Sequence, residues 1–263
     1  MRILFIGDVV GKPGRQAVAA LVPALRRERD VDLVIANGEN SAHGAGFTQT
    51  TVTELLESGV DVLTSGDHTW DQKEAYQVID RERRLIRPLN MAPNVPGRGS
   101  TIVNVGDRFS VGVLNLMGRV YMPANDCPFR AGEAEVNRLR QKTNIIFVDM
   151  HAEATSEKIA LSRFLDGKVS AVVGTHTHVQ TADEQILPNG TAYLSDAGMT
   201  GPHDSVLGRD VEAVVRRFVT GMPQKLEVAT GKVELCGVII EVDELSGKAR
   251  KIERLRIPHH TSA

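Results

Sequence analysis

Short apolar runs, each closed by a polar loop that contains glycine, recur along the chain. Arg2–Ile6 ends in Gly7-Asp8, Leu33–Ala36 in Asn37-Gly38-Glu39-Asn40, and Val60–Thr64 in Ser65-Gly66-Asp67-His68. The runs are nearly continuous in apolar residues, as strands buried on both faces are, rather than alternating as half-exposed strands do. Between them the period becomes helical. Pro13 suits a first helical turn, and Val18, Leu21, Val22 and Leu25 form one stripe on a segment running to about Arg29. Thr48–Leu56 is a second helical segment, with Gly59 as its stop. This alternation predicts buried parallel strands covered by helices.

The middle of the chain breaks the rhythm. Leu89–Gly99 is rich in Pro, Gly and Asn and reads as a long loop. Thr101–Val105, the turn Gly106-Asp107-Arg108 and Phe109–Leu116 read as a hairpin. Met117–Ala131 is loop-like, and a helix follows it to about Gln141. The rhythm then resumes with a strand Ile145–Met150 ending at His151. A helix follows from Ser156 to Leu165, capped by Thr155 or Ser156, and then a strand Val169–Val173 ending in Gly174-Thr175-His176-Thr177-His178. The last helix is expected over Asp210–Val219, and Leu226–Ala229, Leu235–Val242 and Lys251–Ile257 read as strands. No repeat, low-complexity tract or linker intervenes, so one domain over residues 1–263 is expected.

Composition narrows the classes. The chain has 263 residues, 41% of them hydrophobic, which is ample for a large core. A formal net charge of −2 argues against a dedicated nucleic-acid surface. The two cysteines, Cys127 and Cys236, cannot build a disulfide framework and have no neighbours at metal-ligand spacing. The first apolar stretch is too short for a signal-peptide core and runs at once into Asp8. No stretch approaches the ~18–20 apolar residues that span a bilayer. A cytoplasmic protein with no membrane partner is therefore expected.

The chemistry lies in what the strand ends carry. Asp8, Glu39, Asn40, Asp67, His68, His151, His176 and His178 all follow the carboxyl end of a predicted strand. In an open α/β sheet those ends share one edge, where ligands bind. Each residue alone has an ordinary reading as a cap, a turn, a solvated loop residue or a hydrogen-bonded core-edge histidine. Their coincidence at five separate segments does not. The pair His176 and His178 is the sharpest signal, since alternation in an extended segment puts both imidazoles on one side. So many oxygen and nitrogen ligands exceed what one tetrahedral ion needs and favour two. With no thiolate among them, they suit Fe, Mn, Zn or Co. His43 and His203 fall in turn-rich loops, Trp70 reads as a packing residue, and His259-His260 as a frayed terminus. Arg119 and Arg130, in the long loops, are weak candidates for pairing with phosphate.

Gly7-Asp8, Gly38-Glu39-Asn40, Gly66-Asp67-His68, His151 and Gly174 to His178 resemble the pattern of the calcineurin-like metallophosphoesterase superfamily. The stretches Met1–Gly11, Ala36–Asn40, His151–Lys158 and Gly174–Pro188 bring the chain close to one branch, the YmdB-like bacterial phosphodiesterases. The resemblance covers essentially the whole chain. It implies a four-layer α/β sandwich of mixed β-sheets flanked by helices. It also implies a first metal on Asp8, Glu39, Asn40 and His178, and a second on Glu39, Asp67, His151 and His176. Glu39 would bridge the two, with His68 as the general acid. The implied cofactors are two divalent or trivalent ions, iron first, with Mn or Zn as alternatives. The implied activity is hydrolysis of 2′,3′-cyclic or 3′,5′-cyclic nucleotides by metal-activated hydroxide attack. The implied partners are a small-molecule phosphodiester and further copies of the chain in a homo-oligomer. One position departs from the pattern: Asp67 stands where the family usually has Asn. The added charge should bind a cation harder while lowering its Lewis acidity and repelling phosphate. A phosphomonoesterase or nuclease on the same core, and a non-catalytic metal-binding regulatory protein, remain alternatives at this stage.

Overall fold

The computed structural model describes residues 1–107 and 109–259, and its strands form two mixed sheets. The first contains β1 (Arg2–Ile6), β2 (Asp8–Val9), β3 (Leu33–Asn37), β4 (Val62–Thr64), β11 (Met199–Pro202), β12 (Val233–Val242) and β13 (Ala249–His259). The second contains β5 (Ser100–Val105), β6 (Phe109–Met117), β7 (Ile145–His151), β8 (Ala171–Thr175), β9 (Gln185–Ile186) and β10 (Ala192–Leu194). Their orders are β2-β11-β12-β1-β3-β4, with β13 beyond β12, and β5-β6-β7-β8-β10-β9. The helices are α1 (Gly11–Glu28), α2 (Gln49–Glu57), α3 (Ala75–Arg81), α4 (Pro128–Leu139), α5 (Thr155–Phe164) and α6 (Val211–Thr220).

Strand parity builds the layers. In β1, Ile3 and Phe5 face the second sheet while Leu4 and Ile6 pack under Val18, Val22 and Leu25 of α1. In β7, Ile145 and Phe147 face the first sheet while Ile146, Val148 and Met150 pack under Val136 and Leu139 of α4 and Leu161 of α5. The result is helix, sheet, sheet, helix: the four-layer sandwich expected, with Phe5 and Phe147 meeting across its midplane at a ring-centroid distance of 4.8 Å.

The inward face changes character along the strands. Continuing the same parity leads from Leu33 and Ile35 to Asn37, from Val62 to Thr64, from Val111 and Val113 to Asn115, from Phe147 to Asp149 and His151, and from Val173 to Thr175. The space between the sheets is thus apolar at one end and polar at the carboxyl end of the parallel strands. Asp149 ties the halves together there, accepting from Asn37 Nδ2 at 3.2 Å, Thr64 Oγ1 and Thr175 Oγ1 at 2.7 Å.

Several local expectations change. The parallel core β1-β3-β4 is present, but β1 also pairs antiparallel with β12, so the C-terminal strands make the sheet mixed rather than parallel. Leu226–Ala229 makes only an isolated bridge, Val228 to Arg209. Helix α4 begins inside the expected loop at Pro128, whose missing N–H is harmless in a first turn. Neither Thr155 nor Ser156 caps α5; Ala154 holds that position without a side-chain bond. Asp210 does cap α6, accepting from Ala213 N at 2.9 Å. His259 lies in β13 opposite Val233, while Arg108 of the expected turn and His260 lie outside the described residues.

Replacing Phe147 with Ala leaves a cavity between the sheets and is expected to cost about 3–5 kcal/mol in urea unfolding. Phe218→Ala, at a side chain 82% exposed on α6, should stay within about 0.5 kcal/mol. Equal effects would contradict the layer assignment.

Candidate metal centre

Both sheets contribute to the polar end. The first sheet supplies Asp8 on β2, Glu39 and Asn40 just past β3, and Asp67 and His68 from a 3-10 turn after β4. The second supplies His151 at the end of β7 and His176 and His178 just past β8. Close approach is allowed by Gly66, where a Cβ would stand 2.3 Å from His151 Nε2 and 2.4 Å from Glu39 Oε2. Glu39 is held by the backbone N–H of His68, which donates to Oε2 at 3.2 Å.

The three imidazoles share one logic. The Thr175 hydroxyl donates its only proton to Asp149, so it accepts from His151 Nδ1–H at 2.9 Å. His151 Nε2 then faces Glu39 Oε1 at 3.1 Å and Asp67 Oδ1 at 2.9 Å. His176 uses the opposite ring nitrogens: Nε2 meets Glu153 Oε2 at 3.1 Å, and Nδ1 faces Asp67 Oδ1 at 3.2 Å. His178 Nδ1–H donates to the Leu207 carbonyl at 3.2 Å, which leaves Nε2 toward Asn40 Nδ2 at 3.3 Å and Asp8 Oδ1 at 3.9 Å. Each ring commits its outer N–H to an acceptor and turns its inner nitrogen to the carboxylates, the arrangement that outer partners impose on metal-binding histidines.

The electrostatics call for a cation. Burial pushes the Asp8 carboxyl up, and it pushes Asp149 to about 6. Burial opposes ionisation of Glu39 and Asp67 too, yet contacts with His151 hold both below the usual carboxylate range, helped at Asp67 by a bond to His176. Burial works against a charged His151, but Glu39 and Asp67 outweigh it and raise it well above the ordinary value. At Glu39 and Asp67 the negative charge is met by imidazolium, a role that a bound ion would also fill. Asp8 Oδ1 is buried with no hydrogen-bond partner among the described residues. Glu39, Asp67, His151 and His176 bring ligand atoms within 4.8 Å of one another. Oxygen and imidazole donors, an orphaned carboxylate oxygen and oriented rings together fit a metal ion. A second cluster, His203, Glu234 and Cys236, fits poorly. Glu234 already pairs with Lys232 and Arg256, and burial pushes the Cys236 thiol to about 12.

His68 lies at the mouth, with Nδ1 2.7 Å from Asp71 Oδ2. Burial lowers its proton affinity, but Glu39, Asp67 and Asp71 together leave it raised. The adjoining cleft, of about 310 Å³, is lined by Asn40, Gly44, Glu153, Leu207 and Arg209 as well as the histidines. Neither Asn90–Gly99 nor Met117–Ala131 lines it, so Arg119 and Arg130 are not its cations. A larger cavity of about 630 Å³, beside Met1, Asp32 and Glu244, lies at the opposite strand ends and holds no imidazole. His43 is exposed, and His203 is bonded to the Met199 carbonyl. Trp70 packs as expected, stacked on Tyr76 at 5.1 Å against the helical core.

Sequence reading passed over the residues that set these groups: Asp71, Asp149, Glu153, Thr175 and the pair Lys158–Asp196. The last fixes the histidine turn. His176 and His178 both have left-handed backbones, φ 96° and 64°, which L-residues rarely adopt without support. Thr177 between them donates from its N–H at 3.1 Å and its hydroxyl at 2.7 Å to Asp196 Oδ2. The same oxygen accepts from Lys158 Nζ at 2.8 Å, and both charged side chains are buried. The strained turn is thus tied to a buried ion pair.

A helix-flanked double sheet with this cluster at its polar end is a metallophosphoesterase-type fold. The chain belongs to the YmdB-like protein family, whose profile matches residues 4–255. It is 50% identical over 257 residues to a 2′,3′-cyclic-nucleotide 2′-phosphodiesterase of Bacillus subtilis, covering 98% of this chain and 97% of that protein. A crystal structure of a hypothetical protein from Thermus thermophilus superposes with a TM-score of 0.93 at 42% identity, covering 99% of this chain and 100% of that one. The crystal structure of a novel phosphatase from Mycoplasma pneumoniae superposes with a TM-score of 0.92 at 37% identity, covering 98% and 93%.

Thr177→Val removes the hydroxyl bond to Asp196 and should weaken metal binding about 10–100-fold, read by competition with a chelator. Thr177→Ser should restore it. Indistinguishable affinities in the Val and Ser variants would remove the anchor from the account.

Proposed function

We propose that the protein is a metal-dependent phosphodiesterase acting on cyclic nucleotides, 2′,3′-cyclic phosphates first and 3′,5′-cyclic phosphates alongside. The observation that carries this reading is the set of three histidines, each with its outer N–H bound to a protein acceptor and its inner nitrogen facing buried carboxylates. Two ions are assigned. Asp8, Glu39, Asn40 and His178 would hold one, while Glu39, Asp67, His151 and His176 would hold the other. Glu39 would be shared by both sets, and its Oε1 accepts from Asn40 Nδ2 at 3.3 Å and faces His151 Nε2 at 3.1 Å. Iron is the first candidate for both sites, with manganese or zinc as substitutes. The similarity to the Bacillus enzyme supports the substrate class.

When bound, the ions lower the pKa of water to near neutrality and neutralise charge on the phosphoryl oxygens. The chain's own residues do the rest. Asp71 fixes Nδ1 of His68, so Nε2–H is the proton presented to the cleft. The surrounding carboxylates favour the charged ring, whose proton would pass to the departing ribose oxygen. Asp67 adds negative charge where the family resemblance expects Asn, which favours holding the cation over activating it. Both sheets supply ligands, so the chain is taken to work as one domain. No helix among the described residues is long and apolar enough to cross a membrane, and the two cysteines are free thiols, which suits the cytoplasm.

Metal analysis after anaerobic purification should give two ions per chain; one or none would overturn the dinuclear assignment. His68→Ala should lower turnover of a 2′,3′-cyclic nucleotide about 10²–10⁴-fold and affect an activated aryl diester far less. An equal loss on both substrates would remove the general-acid role.

A further inference from the structure

Among the described residues, Arg209 is the one permanently charged cation lining the cleft beside His178 and Asn40. Its backbone is pinned. Val206 and Arg209 bridge each other around Leu207 and Gly208, whose φ values of 52° and 88° are those of a tight I′ turn. Arg209 bridges Val228 as well. The carbonyl of Leu207 in that same turn orients His178. The turn therefore sets an imidazole and a guanidinium on one wall together.

The guanidinium is held only by carbonyls. Nη1 donates to His43 O and to Leu226 O, both at 3.0 Å, and Nη2 donates to Gly44 O. A guanidinium has five N–H donors, so Nε–H and one Nη2–H keep no protein acceptor among the described residues. No carboxylate pairs with it there, and burial lowers its proton affinity with nothing offsetting it. A half-buried cation with two spare donors and no counter-ion matches an oxyanion that offers two oxygens. The cleft lining also includes Glu153, half exposed and bonded to His176, so Glu153 already has an imidazole partner and Arg209 is left without a carboxylate.

We infer that Arg209 is a substrate-binding residue that takes the phosphoryl oxygens of the bound phosphate ester, and that it grips a dianionic monophosphate more firmly than a monoanionic diester. This rests on the proposed diesterase reading for its substrate, although phosphate binding itself can be measured without turnover.

The experiment titrates the metal-loaded protein with inorganic phosphate by calorimetry and compares Arg209→Gln and Arg209→Lys with wild type. Metal content and Tm are measured on each, and adenosine serves as an uncharged probe. Arg209→Gln should weaken phosphate binding and raise KM for a 2′,3′-cyclic nucleotide, each about 10–100-fold, with kcat changed less. Arg209→Lys, which keeps the charge and loses the fork, should fall between. Unchanged phosphate affinity in Arg209→Gln at full metal content overturns the inference. So does a parallel loss of metal or of adenosine binding in both variants, which would mark Arg209 as a loop anchor only. Wild-type protein that does not bind phosphate overturns it too. Arg209-dependent phosphate binding without diester turnover would uphold the inference and sink the diesterase reading instead.

Discussion

Negative charge confined between two sheets is the constraint from which the rest of the structure follows. Asp8, Glu39, Asp149 and Asp196 are each at most 1% exposed. Such a group is tolerable only where every carboxylate has a proton, a cation or several donors to meet it. The structure supplies each in turn. Asp149 receives hydroxyl and amide donors, Asp196 receives Lys158 and Thr177, Glu39 faces His151, and one oxygen of Asp8 is left for something else. The apolar half of the sandwich supplies the stability against which this concentration of charge is set.

The strand-end residues were legible because strand direction is. Once apolar runs are recognised as parallel strands, their carboxyl ends must share an edge, and Asp8, Glu39, Asp67, His151 and His176 fall there without knowledge of any contact. The open-sheet picture behind that argument was incomplete. The edge is a seam between two packed sheets, and the first of them is completed by β12 antiparallel beside β1, a pairing between residues more than two hundred positions apart that no local pattern encodes. Alternation was also the wrong reason for grouping His176 with His178. Both residues are left-handed, and they present different ring nitrogens to different neighbours.

What stayed hidden has a common physical character. Lys158 and Asp196 look like surface residues in the sequence, since neither type is usually buried, and only their pairing makes burial tolerable. Arg209 belongs to a stretch with no periodicity, and its placement depends on two φ-positive turn residues and on three carbonyls from two separate segments, His43-Gly44 and Leu226. Asp71 was within reach: a carboxylate three residues after a candidate proton donor is a spacing that a short helical turn brings together. Capping was the other weak point, for Ala154 shows that a well-formed helix can begin without the polar side chain that propensity favours.

The seam has a consequence for cohesion. Glu39 and Asp67 come from one sheet and His151 and His176 from the other, so any ion they share is a rivet through the midplane of the molecule. A ligand that binds only when both halves are docked adds its binding free energy to that docking. The apolar contacts around Phe5 and Phe147 close one end of the sandwich, and an ion shared by these four residues would close the other. In such an architecture, the supply of metal would govern how firmly the two halves are held together.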